Sequence, residues 1–403
     1  MLKLALRNIF RHRLRTAMTL VAIVFGVVGL ILSGGFVQDM FHQLGESIIH
    51  SQSGHIQVFR TGFHTYGARS PEKYLIEQPA SLRQQVQSLP QVDEVMGRIN
   101  FSGLISNGRS DWPIIGEGGE PDKEARLGTH IHIVEGRQLA QKDAFGILLG
   151  DGVAHTLKLH PGDHVTLLIN TAEGALNSLE FEVVGTFQSF SKDYDARAVR
   201  ISLGASQELL GTQGVNSLVV SLKRTEDTAA VADALRRQLD GKMFEVMRWE
   251  VLNDFYKSTV ALYERQFGVL QFIILVLVLL SVANSVNMSV FERVGEFGTM
   301  MAVGNRRGII FRLVLAENAL LGLCGAVIGV ALGILLALAI SAIGIPMPPP
   351  PNANLGYTAH ILVVPMTLLM SFSIGICATF LAALIPAWRV CRIPVGEALV
   401  QNF

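Results

Sequence analysis

Residues 291–318, "FERVGEFGTMMAVGNRRGIIFRLVLAEN", are charged, keep helical spacing up to Gly304, and stand between two long apolar runs. On a helix, Met288, Val290, Val294, Phe297, Met300 and Met301 gather near one face while Glu292, Arg293 and Glu296 project from another. Gly304 and Asn305 supply the stop. Such a helix lies along a surface. A helix resting in lipid headgroups favours a polar face rich in Lys and Arg, whereas this one holds two acids and one arginine before Gly304. The pattern predicts a docking helix for a protein partner, placed between two membrane spans.

The flanking sequence supports that setting. The 403 residues are 50% hydrophobic and only 16% charged, with positive mean hydropathy, which exceeds the norm for a soluble chain. A bilayer core needs roughly 20 apolar residues as helix. Residues 16–38 ("TAMTLVAIVFGVVGLILSGGFVQ") and 266–290, around "FIILVLVLLSVAN", meet that need without a charge. From Asn318 to Trp388 no Asp, Glu, Lys or Arg occurs, but "GIPMPPPPNANLGYTAH" at 344–360 interrupts the run, because consecutive prolines cannot continue a helix. Spans three and four are therefore expected at 314–343 and 361–386. The first run is longer than a signal-peptide core of about 7 to 15 residues, and it reads as an uncleaved anchor.

Lys and Arg collect on the cytoplasmic side of membranes. Lys3, Arg7, Arg11, Arg13 and Arg15 crowd the 1–15 segment, Arg293, Arg306, Arg307 and Arg312 sit at 291–313, and Arg389 and Arg392 lie in the 387–403 tail. These clusters share one face only if both termini and the 291–313 loop are cytoplasmic, which puts residues 39–265 outside. Lys plus Arg equals Asp plus Glu at 33 each, so nothing draws this chain to nucleic acid.

The 39–265 segment alternates short strand patterns ("GHIQVFR", "WPIIGEG", "GILLG", "HVTLLIN", "LEFEVVGTF", "SLVVSL") with helical ones ("PASLRQQVQSL", "DGVAHTLKL", "SLGASQELL", "DTAAVADALRRQL"). This is an α+β layout, long enough for one large domain or two subdomains. Cys324, Cys377 and Cys391 all lie in or beside apolar runs, so no disulfide staples it. "VLNDFYKSTVALYERQF" at 251–267 holds no Gly or Pro and predicts a continuous helix into the second span, able to link domain movement to the membrane.

Catalytic patterns are missing. No G-x-x-x-x-G-K-[ST], H-E-x-x-H or G-x-S-x-G occurs. His130 and His132 share a strand face, with His155, His160 and His164 further on, but no carboxylate or cysteine stands at ligand spacing and no metal site is expected. "GEGGEPDKEARLG" is glycine-rich, yet Glu117, Glu120 and Asp122 repel phosphate; it reads as a loop. Glu317, the lone acid at the start of span three, reads as structural, either wet at the interface or paired with an arginine. Gly325, Gly329 and Gly333 form a small-xxx-small face, suited to packing within one subunit or across a subunit interface.

The 291–333 stretch "FERVGEFGTMMAVGNRRGIIFRLVLAENALLGLCGAVIGVALG" resembles the FtsX-like permeases, with their E-R-x-x-E-[IF]-G…A-x-G cytoplasmic helix and glycine-rich third span. "LALRNIFRHRLRTAMTLVAIVFGV" and "IPAWRVCRIPVGEAL" are similar to the ends of that family. "VEGRQL…GILLGDGVAHTLKLHPGDHVTLL…FEVVGTF" looks like its MacB-like periplasmic core domain, and "SGHIQVFRTGF" looks like the first exterior strand of the lipoprotein-releasing branch. The resemblance implies four membrane helices with a large α+β MacB-like periplasmic domain between the first and second, in the inner membrane.

It further implies an ABC transporter permease subunit, itself no enzyme, working by mechanotransmission. A separate cytoplasmic ATPase dimer, which holds ATP and Mg, pushes on the 291–313 helix and moves the periplasmic domain to extract or export a lipoprotein or other amphiphile. Implied partners are a second permease copy or sister permease, membrane lipids, and a periplasmic or outer-membrane protein. By position, Glu292, Arg293, Glu296, Phe297, Met300 and Met301 contact the ATPase, Gly298 allows close approach, and Gly304 ends the helix. Phe36, Met40, Phe41, Phe255, Tyr256, Tyr263 and Phe267 are the candidate substrate-facing residues, with ordinary stalk packing as the alternative. The alternative function is an FtsX-like signal transmitter regulating a periplasmic enzyme.

Overall fold

The computed structural model describes residues 13–67, 71–171, 173–349, 356–392 and 394. Lys3, Arg7 and Arg11 of the amino-terminal cluster, the centre of the 344–360 loop and most of the 387–403 tail lie outside the described residues. The chain divides into two compact units, one of Met1–His42, Thr259–Pro346 and Thr358–Phe403, the other of Gln43–Ser258 and Met347–Tyr357. Among the described residues four helices are long and apolar enough to cross a membrane. The first, α1, is Arg13–Ile48 and so runs on past the expected end of its span.

The inserted unit is built on one ten-stranded mixed sheet, not on two separate subdomains. Its strands are β1 (Ile56–Arg60), β2 (Val92–Ser106), β3 (Asp111–Gly119), β4 (His132–Gly136), β5 (Gly146–Gly150), β6 (His164–Asn170), β7 (Leu176–Gln188), β8 (Ala198–Ser202), β9 (Ser217–Leu222) and β10 (Phe244–Arg248). The order is β10-β1-β9-β2-β3-β8-β5-β7-β4, with β6 bridging β2 and β7. β3 pairs β8, and β5 pairs β7, in parallel. All six residues of β9 are buried, as befits a strand covered on both faces. Helices α2 (Pro79–Gln87), α3 (Pro121–Leu127), α4 (Asp151–Leu157), α5 (Leu203–Leu210) and α6 (Thr228–Gln238) accompany the sheet. In α6 the buried Thr228, Val231, Ala232 and Leu235 recur at helical spacing.

Two expectations are corrected here. "GEGGEPDKEARLG" is not a loop: it ends β3 and forms α3, where Pro121 occupies the first turn and Asp122 and Glu124 favour the positive helix start. The continuous helix expected over 251–267 is interrupted: Trp249–Leu252 forms a single helical turn, and the long helix starts at Asp254, because Asn253 is extended (φ −116°, ψ 94°) and its Oδ1 accepts the Tyr256 N–H at 3.0 Å.

The membrane unit continues with α7 (Asp254–Glu292), α8 (Val294–Ala302), α9 (Arg307–Ile343) and α10 (Pro365–Val390). Its core is a seam of Ile23, Val27 and Ile31 on α1, Val282, Val286 and Val290 on α7, and Ala382, Ala383 and Ala387 on α10. The α1 and α7 sets repeat every four residues, as do Ala383 and Ala387 on α10, the spacing of one helix face. The glycine stripe of α9 turns to α1 of the same chain. A Cβ at Gly325 would stand 2.8 Å from Ile23, at Gly329 2.8 Å from Val27, and at Gly333 2.8 Å from Ile31. Without a hydrophobic effect in lipid, this close backbone approach and its dispersion contacts supply the attraction.

Candidate functional site

Between α7 and α9 the chain makes a short detour that carries the docking pattern. Arg293 leaves helical geometry (φ −105°, ψ 10°) and separates α7 from α8. At the other end the Gly304 N–H donates to Met301 O at 3.0 Å and the Asn305 N–H to Met300 O at 3.1 Å, the bond pair of a Schellman stop. Gly304 has φ +99°, which a side chain adopts only under strain.

Arg293 is turned inward, although its place on the helical wheel put it on the polar face. The break at Arg293 itself changes that register, and a partner waits in the interior. Its Nη1 donates to Glu317 Oε2 at 2.6 Å, its Nη2 to Glu317 Oε1 at 3.3 Å, and its Nε to Glu296 Oε2 at 3.1 Å. The guanidinium lies 5.0 Å from the centre of the Phe297 ring, within cation–π range. Glu317 is therefore buried and paired, not wet. Asn318 beside it is also buried and donates to Val314 O at 2.9 Å.

Phe297 is 1% exposed and joins the apolar seam with Val290, Ile310 and Val314, while Met300 and Met301 pack partly against it. Val294, Gly295 and Gly298 are buried too. Of the expected contact residues, Glu292 and Gly304 are exposed, Glu296, Met300 and Met301 half-buried, and Arg293, Phe297 and Gly298 buried. The outer edge adds residues that the sequence pattern did not single out: Phe291, Thr299, Ala302, Val303 and Arg306. Val303 at 87% exposure is the clearest of them; an aliphatic side chain before a helix-ending glycine is the only sequence signal it carries.

Among the candidate substrate-facing residues, Phe41 is buried and meets Tyr263 edge-on at 6.5 Å. Tyr256 packs instead on Trp249 at 4.6 Å. Phe255 is exposed, and Phe36, Met40 and Phe267 are half-buried. Among the described residues no group of three or more His, Cys, Asp or Glu has metal-holding geometry; His130 stacks on His50 at 5.6 Å, and His132, His155, His160 and His164 are exposed.

Among the described residues, four apolar helices, a sheet domain inserted after the first and a buttressed short helix between the second and third have the layout of a membrane protein. Residues 16–238 match the MacB-like periplasmic core domain and residues 268–395 the FtsX-like permease C-terminal domain, so the chain belongs to the MacB/FtsX-like family of ABC transporter permeases. An uncharacterized ABC transporter permease of Methanocaldococcus jannaschii is 25% identical over 394 residues, covering 94% of this chain and 93% of its own length. The lipoprotein-releasing system transmembrane protein LolE of Haemophilus influenzae is 21% identical over 390 residues, covering 93% and 91%. The macrolide export ATP-binding/permease protein MacB of Shewanella sp. is 23% identical over 419 residues; all of this chain aligns, but it spans only 60% of MacB.

Proposed function

We propose that this chain is the permease subunit of an inner-membrane ABC transporter, with both termini cytoplasmic, that couples a separate ATPase to movement of the inserted domain. Its cargo is amphiphilic, in keeping with two relatives named for macrolide export and lipoprotein release. A second permease copy or a sister permease completes the membrane assembly.

The Arg293–Glu317 pair carries this reading. α8 is too short to hold its place by helix propensity alone. Anchored by a two-bonded buried ion pair to α9, it receives a push on its outer edge without rolling away. α9 in turn is seated along the glycine stripe on α1, so the push reaches two spans together. Glu292, Thr299 and Val303 form the pushed surface, while Arg293 and Phe297 hold it from behind.

The test is ATP hydrolysis by the ATPase that copurifies with the tagged full chain in lipid nanodiscs. Val303→Asp and Glu292→Lys are expected to reduce the bound ATPase or its activity at least tenfold, about 1.4 kcal/mol of lost contact. If both variants retain the ATPase and hydrolyse at the wild-type rate, α8 is not the docking helix.

A further inference from the structure

Beyond Ile48 the first helix widens into a π-helical turn, Ile49–Ser53, before Gly54 and β1. A helix end leaves its last carbonyls without intrahelical donors and gathers partial negative charge there. Here side chains of the sheet take those carbonyls. Arg200 on β8 donates Nη2 to Ser51 O at 2.6 Å, Arg98 on β2 donates Nη1 to Gln52 O, and Gln57 on β1 donates Nε2 to Ser53 O at 2.7 Å.

Both arginines are buried, 3% exposed for Arg98 and 8% for Arg200, and each has a carboxylate at hand. Arg98 donates Nε and Nη2 to the two oxygens of Glu124 at 2.9 and 2.6 Å. Arg200 Nη2 lies 3.1 Å from Glu117 Oε2. Burial pushes the Glu124 carboxyl up, and Arg98, with Arg200 behind it, reverses this and holds it below the ordinary carboxylate range. Apolar side chains fill such space without the cost of desolvating two ion pairs, so packing alone does not account for the cluster. What the guanidinium groups add is direction. β3 lies between β2 and β8, and the two arginines bind adjacent carbonyls of one turn from strands on either side of it.

We propose that Arg98 and Arg200 are positioning residues that bind the end of the stalk helix to the sheet, so that a shift of the helix moves the sheet instead of bending the Ile49–Ser53 turn. π-helical turns frequently occur at functional sites; this one is braced at Ser51, Gln52 and Ser53. The inference rests on the ATP-driven movement put forward above.

The test is hydrogen exchange of the full chain with its copurified ATPase in nanodiscs, nucleotide-free and trapped with ATP and vanadate. In wild type, trapping is expected to change exchange both in the stalk (residues 39–53) and in β2, β3 and β8. A variant with both paired replacements, Arg98→Met/Glu124→Gln and Arg200→Met/Glu117→Gln, removes both arginines of the brace without leaving a buried charge. It is expected to speed exchange at residues 49–54 roughly tenfold in the nucleotide-free state. It should also abolish the nucleotide-dependent change in the sheet while keeping that in the stalk and the ATPase rate. Arg98→Lys, which keeps the charge but loses the fork, should fall between the two. A sheet response that persists in the paired variant overturns the brace alone. A wild-type complex with no nucleotide-dependent change anywhere overturns the transporter reading, and the brace falls with it.

Discussion

The Arg293 guanidinium and the Glu317 carboxylate, 24 residues apart in the chain, meet through two hydrogen bonds with each side chain only 9% exposed. Removing one member of a buried pair leaves the other charge uncompensated, which costs about 3–5 kcal/mol, whereas removing both is far less harmful. Arg293→Met and Glu317→Gln should each lower the thermal stability of the chain in nanodiscs, and Arg293→Met/Glu317→Gln should recover most of the loss. Additive losses in the double variant would show that the two groups do not stabilise each other.

The glycine stripe makes a separate prediction. A Cβ at Gly329 meets Val27 at 2.8 Å, so Gly329→Val should destabilise by about 1–3 kcal/mol through overpacking. Val27→Ala should relieve part of that cost. A double-mutant cycle read by thermal unfolding measures the coupling, and zero coupling would place the stripe elsewhere than against α1.

Gly304 and Gly308 offer a matched pair. Gly304 has φ +99°, while Gly308 sits inside the first turn of α9 with open space at its Cβ. Gly304→Ala should strain the end of α8 by about 1–2 kcal/mol and weaken ATPase coupling. Gly308→Ala should be neutral or mildly stabilising. Equal effects on copurified ATPase activity would remove Gly304 from any role in shaping the docking edge.

His55 gives the stability of the inserted unit a pH dependence. Its Nδ1 accepts the Leu222 N–H at 3.1 Å, its Nε2 lies 3.2 Å from Thr225 Oγ1, and that hydroxyl donates to Glu46 at 2.7 Å. Burial, with His50 nearby, pulls its pKa from 6.5 down to about 4. Between those values the unfolded chain binds more protons, so this stabilisation is complete above pH 6.5 and is lost as pH falls towards 4. Between pH 7.5 and 5 wild type should lose about 2 kcal/mol more than His55→Asn. Parallel curves for the two proteins in chemical denaturation would contradict a neutral, buried His55.

Local patterns were legible in the sequence; pairings were not. The uncharged runs, the strands β1, β5, β6 and β9, and the helices α2, α4, α5 and α6 follow from periodicity and from their bordering turn residues. β2 escaped because Gly97 and Gly103 interrupt it and because its partners change along its length, from β9 to β3 and β6. Arg293 was assigned to the wrong face because a single non-helical residue resets the wheel. Arg98 and Arg200 left a faint trace in "MGRIN" and "AVRIS", a lone charge among strand-forming residues, but their partners in the Ile49–Ser53 turn come from 46 and 149 residues away. Long-range partners of that kind are set by sheet order, which no local window contains.

The sheet order has one more consequence. β1 and β10, the first and last strands of the inserted unit, are antiparallel neighbours with Ile56 opposite Arg248, so the polypeptide enters and leaves this unit about 5 Å apart. Adjacent ends are what let one domain sit inside another without stretching its host. Connections between Arg60 and Phe244 that leave β9, Arg98 and Arg200 in place can therefore change length and surface while the two flanking strands keep their register. A lineage can reshape the surface of this unit without altering the strands that open and close it.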